Sequence, residues 1–235
     1  MKEGKRKIVI AASCLAIMVG LGLFVMGQGG VVQSPSPTFP GVVMELQEEG
    51  REREVDWSKL PCTAIAWVYV PGTSIDYPVA MGSAEDPGFY LSHDIEGLYS
   101  VWGTPYVANE CEQGLESPLA MIYGHHMSDG TMFVNFANFS SKSFVEAHDE
   151  IVLYTPQRVI YLEPRVVNVI NANAKTVQLE FESQENLNLC MANEVAESEV
   201  VLGEVPSEQR VYVFVTCSYE TQNSRTIVYA VEEVK

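Results

Sequence analysis

The feature that most constrains this chain is a pair of β-rich runs near its C-terminus, within VYVFVTCSYETQNSRTIVYAV at residues 211–231. Each run alternates in side-chain character and is bounded by polar turn residues, a pattern typical of β-strands. The first run ends on Cys217 and the second begins at Arg225, with residues 218–224 between them. If the runs pair as an antiparallel hairpin, Cys217 and Arg225 are directly opposed, with Cβ atoms roughly 4.5–5.5 Å apart.

A second stretch, IYGHHMSDGTMF at residues 122–133, places His125 where an apolar run leaves the core. Catalytic and binding residues often lie where a strand of a rigid sheet ends and a loop begins. A cysteine at a strand end is more often a small buried residue, and an arginine that opens a strand is more often a solvated charge. Together the three residue types predict a nucleophilic site, in which a thiolate attacks a carbonyl, an imidazole moves protons and a guanidinium stabilises the oxyanion.

Composition limits the class of protein. The chain has 235 residues, a hydrophobic share of 47% and a net charge of −17. This length suits one domain with extra segments, and the acidic balance disfavours a partner that is a nucleic acid. The cysteines are odd in number and show no CxxC pair, so we predict no zinc site and no cofactor. They are Cys14, Cys62, Cys111, Cys190 and Cys217. The sequence does not decide whether two of Cys62, Cys111 and Cys190 form a disulfide.

The N-terminus predicts a membrane anchor. Residues 8–27 contain no charge, and 20 residues at about 1.5 Å each span roughly 30 Å, the thickness of a bilayer core. Basic residues within 1–7 precede this run, so the positive-inside rule places that tail in the cytoplasm and the remaining chain outside the cell. A cleaved signal peptide is the alternative, but the run is long for one and no A-x-A site follows it. We therefore expect a single-pass membrane protein with an extracellular domain.

The rest of the chain divides into a linker with a charged segment (28–54) and a folded domain (55–235). The linker is rich in Gly, Ser and Pro, and residues 42–56 have a charged composition that predicts a helix. Within the domain, short strands at close spacing with few helices predict a mainly β fold, a closed or nearly closed barrel. Strands are predicted at 63–70, 75–79, from 107, 119–125, 151–155, within 158–170 and at 176–181, and helices near 132–137, 144–148 and 183–196.

The motif YGHHMSDGTMF, together with TC-x7-R, resembles the sortases, and class B in particular. The segments DWSKLPCTAIAWVYVPGTSIDYPVAMG, FYLSHD and VEAHDEIVLYTP are similar to class B segments in the same order. Ordered matches of this kind are more specific than one motif. The resemblance extends from about Val55 to the C-terminus. It implies a closed eight-stranded sortase-type β-barrel, here preceded by the transmembrane helix, and a cysteine transpeptidase.

The resemblance also implies roles for individual residues. Cys217 matches the nucleophile, His125 the catalytic histidine and Arg225 the catalytic arginine. Thr216, which precedes the nucleophile, and Tyr123 match positions that bind substrate. This chain departs from many class B members two residues before the cysteine, where Val215 replaces a serine.

The function expected from the resemblance is cleavage of a Thr–Gly-type sorting signal in a secreted protein. The acyl group would rest on Cys217 as a thioester and pass to an amine of peptidoglycan or of a pilin. Two alternatives remain from the residues alone. One is a cysteine peptidase that uses water as acceptor, and the other is a non-catalytic module that binds wall proteins.

Overall fold

The computed structural model describes residues 37–45, 53–173, 175, 177–207, 209–218 and 223–233. The predicted cytoplasmic tail, the anchor and most of the linker lie outside these residues. Within them, no helix has the length and apolar character that crossing a membrane requires.

The described residues form eleven strands and only short helices. The strands are β1 (Val43–Glu45), β2 (Arg53–Val55), β3 (Ala64–Tyr69), β4 (Asp76–Met81), β5 (Tyr106–Val107), β6 (Leu119–Tyr123), β7 (Ile151–Tyr154), β8 (Val159–Asn171), β9 (Val200–Val201), β10 (Val211–Ser218) and β11 (Ser224–Glu232). The α-helices are α1 (Val134–Ala137), α2 (Lys142–Ala147) and α3 (Gln184–Ala196), and 3-10 turns lie at Trp57–Lys59, Phe89–Leu91, Gly114–Glu116 and Asn138–Ser140.

Eight of the strands close into a barrel, which confirms the predicted fold class. Their order around the barrel is β11-β10-β6-β5-β4-β3-β7-β8, and β8 pairs back to β11. Closure pairs the strands at both ends of the sheet and so removes exposed edges. The short strand β9 adds to β8 outside this ring. The strand predicted at 176–181 is wrong, because residues 177–181 run alongside the barrel without joining the ladder.

Strands β10 and β11 are buried on both faces. On one face, the ring of Phe214 in β10 stacks on that of Phe136 in α1, with centroids 4.9 Å apart. On the other face, the hydroxyl of Tyr229 in β11 donates to Glu194 in α3 over 3.0 Å. Successive side chains of a strand point to opposite faces. The two helices therefore cover the two sides of the C-terminal hairpin.

The charged segment before the barrel is not helical where the structure describes it. Strands β1 and β2 pair in an antiparallel register, with Val43 opposite Val55. Val55 is buried in a cluster with Trp67 of β3. The helical prediction is wrong for residues 43–45 and 53–55, because packing against the barrel outweighs the preference of Glu-rich sequence for helix. Residues 46–52 lie outside the described part of the chain.

Three of the cysteines in the described part of the chain are free thiols. Cys62 is exposed, Cys111 is buried and Cys190 is half-buried. The possible disulfide among them is therefore not formed in this structure.

Candidate active site

The C-terminal hairpin has the predicted register. Strands β10 and β11 pair residue by residue from Val211 opposite Val231 to Ser218 opposite Ser224. In this register Cys217 lies directly opposite Arg225. The sequence pattern of alternating runs therefore located the pair correctly.

Strand β6 brings His125 to the other side of Cys217. It runs parallel to β10, with Tyr123 beside Val215, and the amide of Gly124 donates to the carbonyl of Val215 over 3.1 Å. His125 and Cys217 each lie two residues beyond that pair along their own chains. The backbone thus brings His125, which follows the end of β6, to the same end of the sheet as Cys217 and Arg225, and we call these three residues the row.

The register also shows which side chains share a face of the sheet. Directly paired residues lie on one face, and neighbours along a strand alternate. Tyr123 pairs with Val215, so it lies on the face that belongs to Cys217 and Arg225. We call this the Cys217 face.

Thr216 lies on the opposite face, where it pairs with Thr226. It is 1% exposed, and its hydroxyl has no hydrogen-bond partner among the described residues. The substrate contact expected for Thr216 stays a prediction. Successive side chains of a strand point to opposite faces, so the side chain of Thr216 points to the face opposite that of Cys217.

Arg225 is a buried cation with a free donor. Its side chain is 6% exposed, and its Nη1 atom has no hydrogen-bond partner in the described part of the structure. A buried polar group without a partner costs free energy, about 1–3 kcal/mol and more for a charged group. Such an exception needs an explanation, and a donor kept for an anionic group of a bound substrate provides one.

Tyr123 presents a neutral phenol next to this cation. It is half-buried, and its ring lies 5.5 Å from that of Tyr106 in the neighbouring strand β5. Burial raises the pKa of Tyr123 well above the ordinary value, and the nearby guanidinium of Arg225 opposes that rise only in part. The hydroxyl therefore remains protonated at any working pH and can donate or accept a hydrogen bond.

His125 is held by the main chain on both sides. Its Nε2 atom lies 2.7 Å from the carbonyl oxygen of Leu91, and its own carbonyl accepts from the amide of Phe133 over 2.8 Å. The sequence patterns did not indicate a role for Leu91, which lies in the FYLSHD segment. A backbone carbonyl leaves no signal in side-chain identity, so only the three-dimensional structure shows the contact.

Helix α3 is fixed over the Cys217 face by a buried carboxylate. Glu194, 6% exposed, accepts from Asn168 in β8 over 2.6 Å, from Tyr229 over 3.0 Å and from Lys175 over 2.8 Å. Asn168 pairs with Ile227, which lies on the same face as Arg225. The network therefore positions α3 and the loop after β8 beside the row of three residues.

The described residues contain no group of three or more His, Cys, Asp or Glu side chains arranged to share a metal ion. The side-chain types that meet at the candidate site are a thiol, an imidazole, a guanidinium and a phenol.

Comparison with known proteins places this arrangement in a family. A sequence profile described as the sortase domain matches residues 68–233. Sortase B of Listeria monocytogenes is 29% identical over 111 residues, which cover 47% of this chain and 44% of that protein. The matched part of the chain thus spans less than half of this curated relative.

Solved structures agree with the sequence comparison. Sortase B of Clostridium perfringens is 27% identical with a TM-score of 0.67, and the match covers 73% of this chain and 94% of that one. A Staphylococcus aureus sortase B–substrate complex is 23% identical with a TM-score of 0.66, covers 75% of this chain and 82% of that one, and supports the fold alone. The sequence profile, the class B relatives and the closed barrel together show that this chain belongs to the sortase family.

Proposed function

We propose that this chain is a membrane-anchored cysteine transpeptidase of the class B sortase type. The observation that carries the proposal is the backbone placement of three residues: Cys217 in β10 lies opposite Arg225 in β11, and His125 lies two residues past the end of β6, the parallel neighbour of β10. The Nη1 atom of Arg225 adds a second argument: no described residue bonds to it, and a buried donor of this kind can stabilise charge that develops only during a reaction.

In the first half-reaction, the thiolate of Cys217 attacks the carbonyl carbon of the scissile peptide bond. The carbonyl oxygen becomes an oxyanion, and Arg225 donates to it. The C–N bond then breaks as His125 gives a proton to the leaving amine. The products are a free amine and a thioester on Cys217.

In the second half-reaction, an acceptor amine attacks the thioester carbonyl, and Arg225 again donates to the oxyanion. His125 takes a proton from the attacking nitrogen. Collapse of the tetrahedral intermediate expels the thiolate and leaves a new amide bond. The enzyme returns to its starting state with no redox change and no cofactor.

The substrate class follows from the family. Staphylococcus aureus sortase B has been solved in complex with substrate. For this chain we propose a secreted protein that carries a sorting signal of the Thr–Gly type as acyl donor, and an amine of peptidoglycan or of a pilin as acceptor. The N-terminal apolar run would keep the enzyme at the outer surface of the membrane, where such proteins emerge.

Two other functions remain to be tested against this one. A cysteine peptidase would use water in the second half-reaction, and a binding module would form no covalent intermediate. The experiment incubates the full chain in detergent micelles with sorting-signal peptides, with and without an amine acceptor, and follows intact mass. A transpeptidase gives an acyl adduct on Cys217 and an amine-linked product.

Matched cysteine variants make the assignment specific. Cys217→Ala should abolish the adduct, whereas Cys62→Ala, which changes an exposed free thiol, should leave it unchanged. Adduct without amine-linked product would indicate the peptidase. The proposal would be contradicted if no peptide of a sorting-signal library gave an adduct. It would also be contradicted if the adduct still formed in Cys217→Ala.

A further inference from the structure

The contact between His125 and Leu91 links the histidine to the connection between β4 and β5. That connection contains the 3-10 turn Phe89–Leu91, and the carbonyls at the end of such a turn lack partners within it. The carbonyl oxygen of Leu91 lies 2.7 Å from Nε2 of His125. In the described part of the structure, no carboxylate side chain bonds to His125, so this carbonyl is the group that orients the imidazole.

A carbonyl oxygen only accepts hydrogen bonds, so the nitrogen that faces it must carry the proton. In a neutral imidazole one nitrogen is a donor and the other an acceptor. Neutral His125 is therefore the Nε2–H tautomer, and its lone pair is on Nδ1. Protons can then reach or leave the imidazole through Nδ1 without breaking the bond to Leu91.

The position of this carbonyl depends on a close backbone approach at Gly103. The amide of Thr104 donates to the carbonyl of Tyr90 over 2.8 Å. Gly103 has a φ of +62°, and a Cβ there would lie 2.4 Å from the oxygen of Tyr90 and 3.0 Å from that of Leu91. The absence of a side chain at Gly103 thus allows the returning chain to lie directly against the carbonyl that holds His125.

We propose that the main-chain carbonyl of Leu91 is a positioning group for His125, and that it makes Nδ1 the nitrogen that exchanges protons with the Cys217 thiol and with the two amines. The proposal rests on the proposed function. It gives the FYLSHD segment a part in the reaction through its backbone. The role corresponds to the third member of a nucleophile–base–orienter set, supplied here by a peptide bond.

The first test is the tautomer itself. The full chain in detergent micelles, labelled with ¹⁵N in histidine, contains four imidazoles. The set of imidazole ¹⁵N signals that disappears in the His125→Gln variant is assigned to His125. We expect a protonated-type Nε2 and an unprotonated-type Nδ1 for neutral His125. An Nδ1–H tautomer would overturn the proposal, and this readout needs no substrate.

The second test moves the carbonyl. Gly103→Ala should lower the population of the Nε2–H tautomer and reduce kcat about tenfold, the change expected from losing one hydrogen bond, with a smaller effect on KM. Gly130→Ala is the matched control, because Gly130 has a φ of +85° and no atom of the described residues would lie within 4 Å of a Cβ there. Gly130→Ala imposes a similar backbone strain without a steric clash. The tautomer population of His125 and kcat should therefore both stay as in the native chain.

The outcomes separate this proposal from the proposed function. Gly103→Ala with an altered tautomer and native kcat would show that the bond does not position His125 for the reaction. If Gly103→Ala does not fold, the tautomer of the native chain still decides the proposal. The expected tautomer in a chain that forms no acyl adduct would instead contradict the proposed function and leave the Leu91 contact standing.

Discussion

At the scale of single residues, Arg225 carries the sharpest prediction. Its guanidinium is buried opposite Cys217, and its Nη1 donor has no partner among the residues that the structure describes. Arginine offers a planar fork of donors, whereas lysine offers a point charge on a different stem. Arg225→Lys should therefore lower kcat by about 100-fold or more, the usual cost of losing one oxyanion donor. KM should change less, because charge on the oxygen grows only in the transition state.

Steady-state kinetics on one sorting-signal peptide, together with the alkylation rate of Cys217, test this prediction. Alkylation should persist in Arg225→Lys, since a positive charge remains beside the thiol. Arg158→Lys is the control, because it alters an exposed ion pair with Glu232 on the far part of the barrel. A kcat near that of the native chain would show that charge alone suffices, and a change confined to KM would make Arg225 a substrate clamp.

Residue identity predicted some of the site and missed the rest for physical reasons. The pairing of Cys217 with Arg225 followed from strand alternation alone. The register adds a fact that motif matching does not contain, because it places Thr216 on the face opposite that of Cys217. The carbonyl of Leu91 could not be predicted, since every residue except proline carries the same backbone donor and acceptor.

At the scale of elements, the N-terminal hairpin shows tertiary contacts overriding composition. Arg53 in β2 donates two hydrogen bonds to Asp76 in β4, at 3.1 and 2.8 Å, and its guanidinium lies 3.9 Å from the ring centroid of Tyr69 in β3. Asp76 also accepts from the indole of Trp67 over 2.6 Å. These contacts join residues that are far apart in the sequence. The composition of the charged segment alone therefore could not predict them.

Arg53→Met should loosen this hairpin. Hydrogen bonds to charged groups contribute about 1.5–3 kcal/mol, so the free energy of local opening should fall by about 2 kcal/mol. The measurement is hydrogen exchange at the amides of β1 and β2. Lys142→Met is the control, because its pair with Glu146 is mostly exposed and should contribute no more than about 0.5 kcal/mol. Equal effects of the two changes would contradict a clamping role for Arg53.

The attachment of the loop after β8 to α3 predicts a dependence on pH. Burial alone would lower the pKa of Lys175, but its hydrogen bonds to Glu194 and Glu197 outweigh burial and raise it above 10.5. A raised pKa means that the folded state binds the proton more tightly, so the contribution to stability is fully present below about pH 10.5 and is lost as pH rises through the folded-state pKa. Hydrogen bonding to Lys175 also lowers the pKa of Glu197 below 4.5.

Lys175→Met should therefore destabilise the protein near neutral pH. Its difference in Tm from the native chain should begin to shrink above about pH 10.5, where the unfolded-state lysine loses its proton, and should reach its minimum once pH passes the raised folded-state pKa. Thermal unfolding across that range makes the measurement. Lys142→Met again supplies the exposed comparison. A difference in Tm that stays constant to the highest pH would indicate lost packing of the side chain instead of a lost charge pair.

At the scale of the whole molecule, the closed barrel was predictable because many short strands with frequent turns have few other ways to remove their edges. The family resemblance supplied the number of strands. Two details were not accessible. Residues 177–181 alternate like a strand but lie against the core as an irregular segment, with Val177 buried. The two-residue β9 is too short to give a periodic signal, and it exists only because β8 is long enough to offer it a partner.

The last prediction concerns the position of the whole domain relative to a membrane. Residues 8–27 form an uncharged run with four basic residues before it, and only nine residues separate that run from Pro37, where the described structure begins. Nine residues reach at most about 30 Å when fully extended, so a domain on this tether stays close to the bilayer surface. From the positive-inside rule we predict that the domain lies outside, where secreted proteins and wall amines would meet.

Protease added to intact, wall-stripped cells should therefore digest the domain while a cytoplasmic marker stays whole, and the undigested domain should sediment with membranes.

A second experiment moves the basic residues from one side of the apolar run to the other, and so tests whether these charges set the orientation. Replacing the four basic residues by glutamine and inserting four lysines after residue 27 should reduce or invert the exposed fraction, because the bias in Lys and Arg sets orientation for short flanking segments. Inserting four glutamines at the same place is the length control and should leave exposure unchanged. Protection of the native domain with the marker intact would refute the orientation, and recovery of the domain in the medium would show that the apolar run is a cleaved signal peptide.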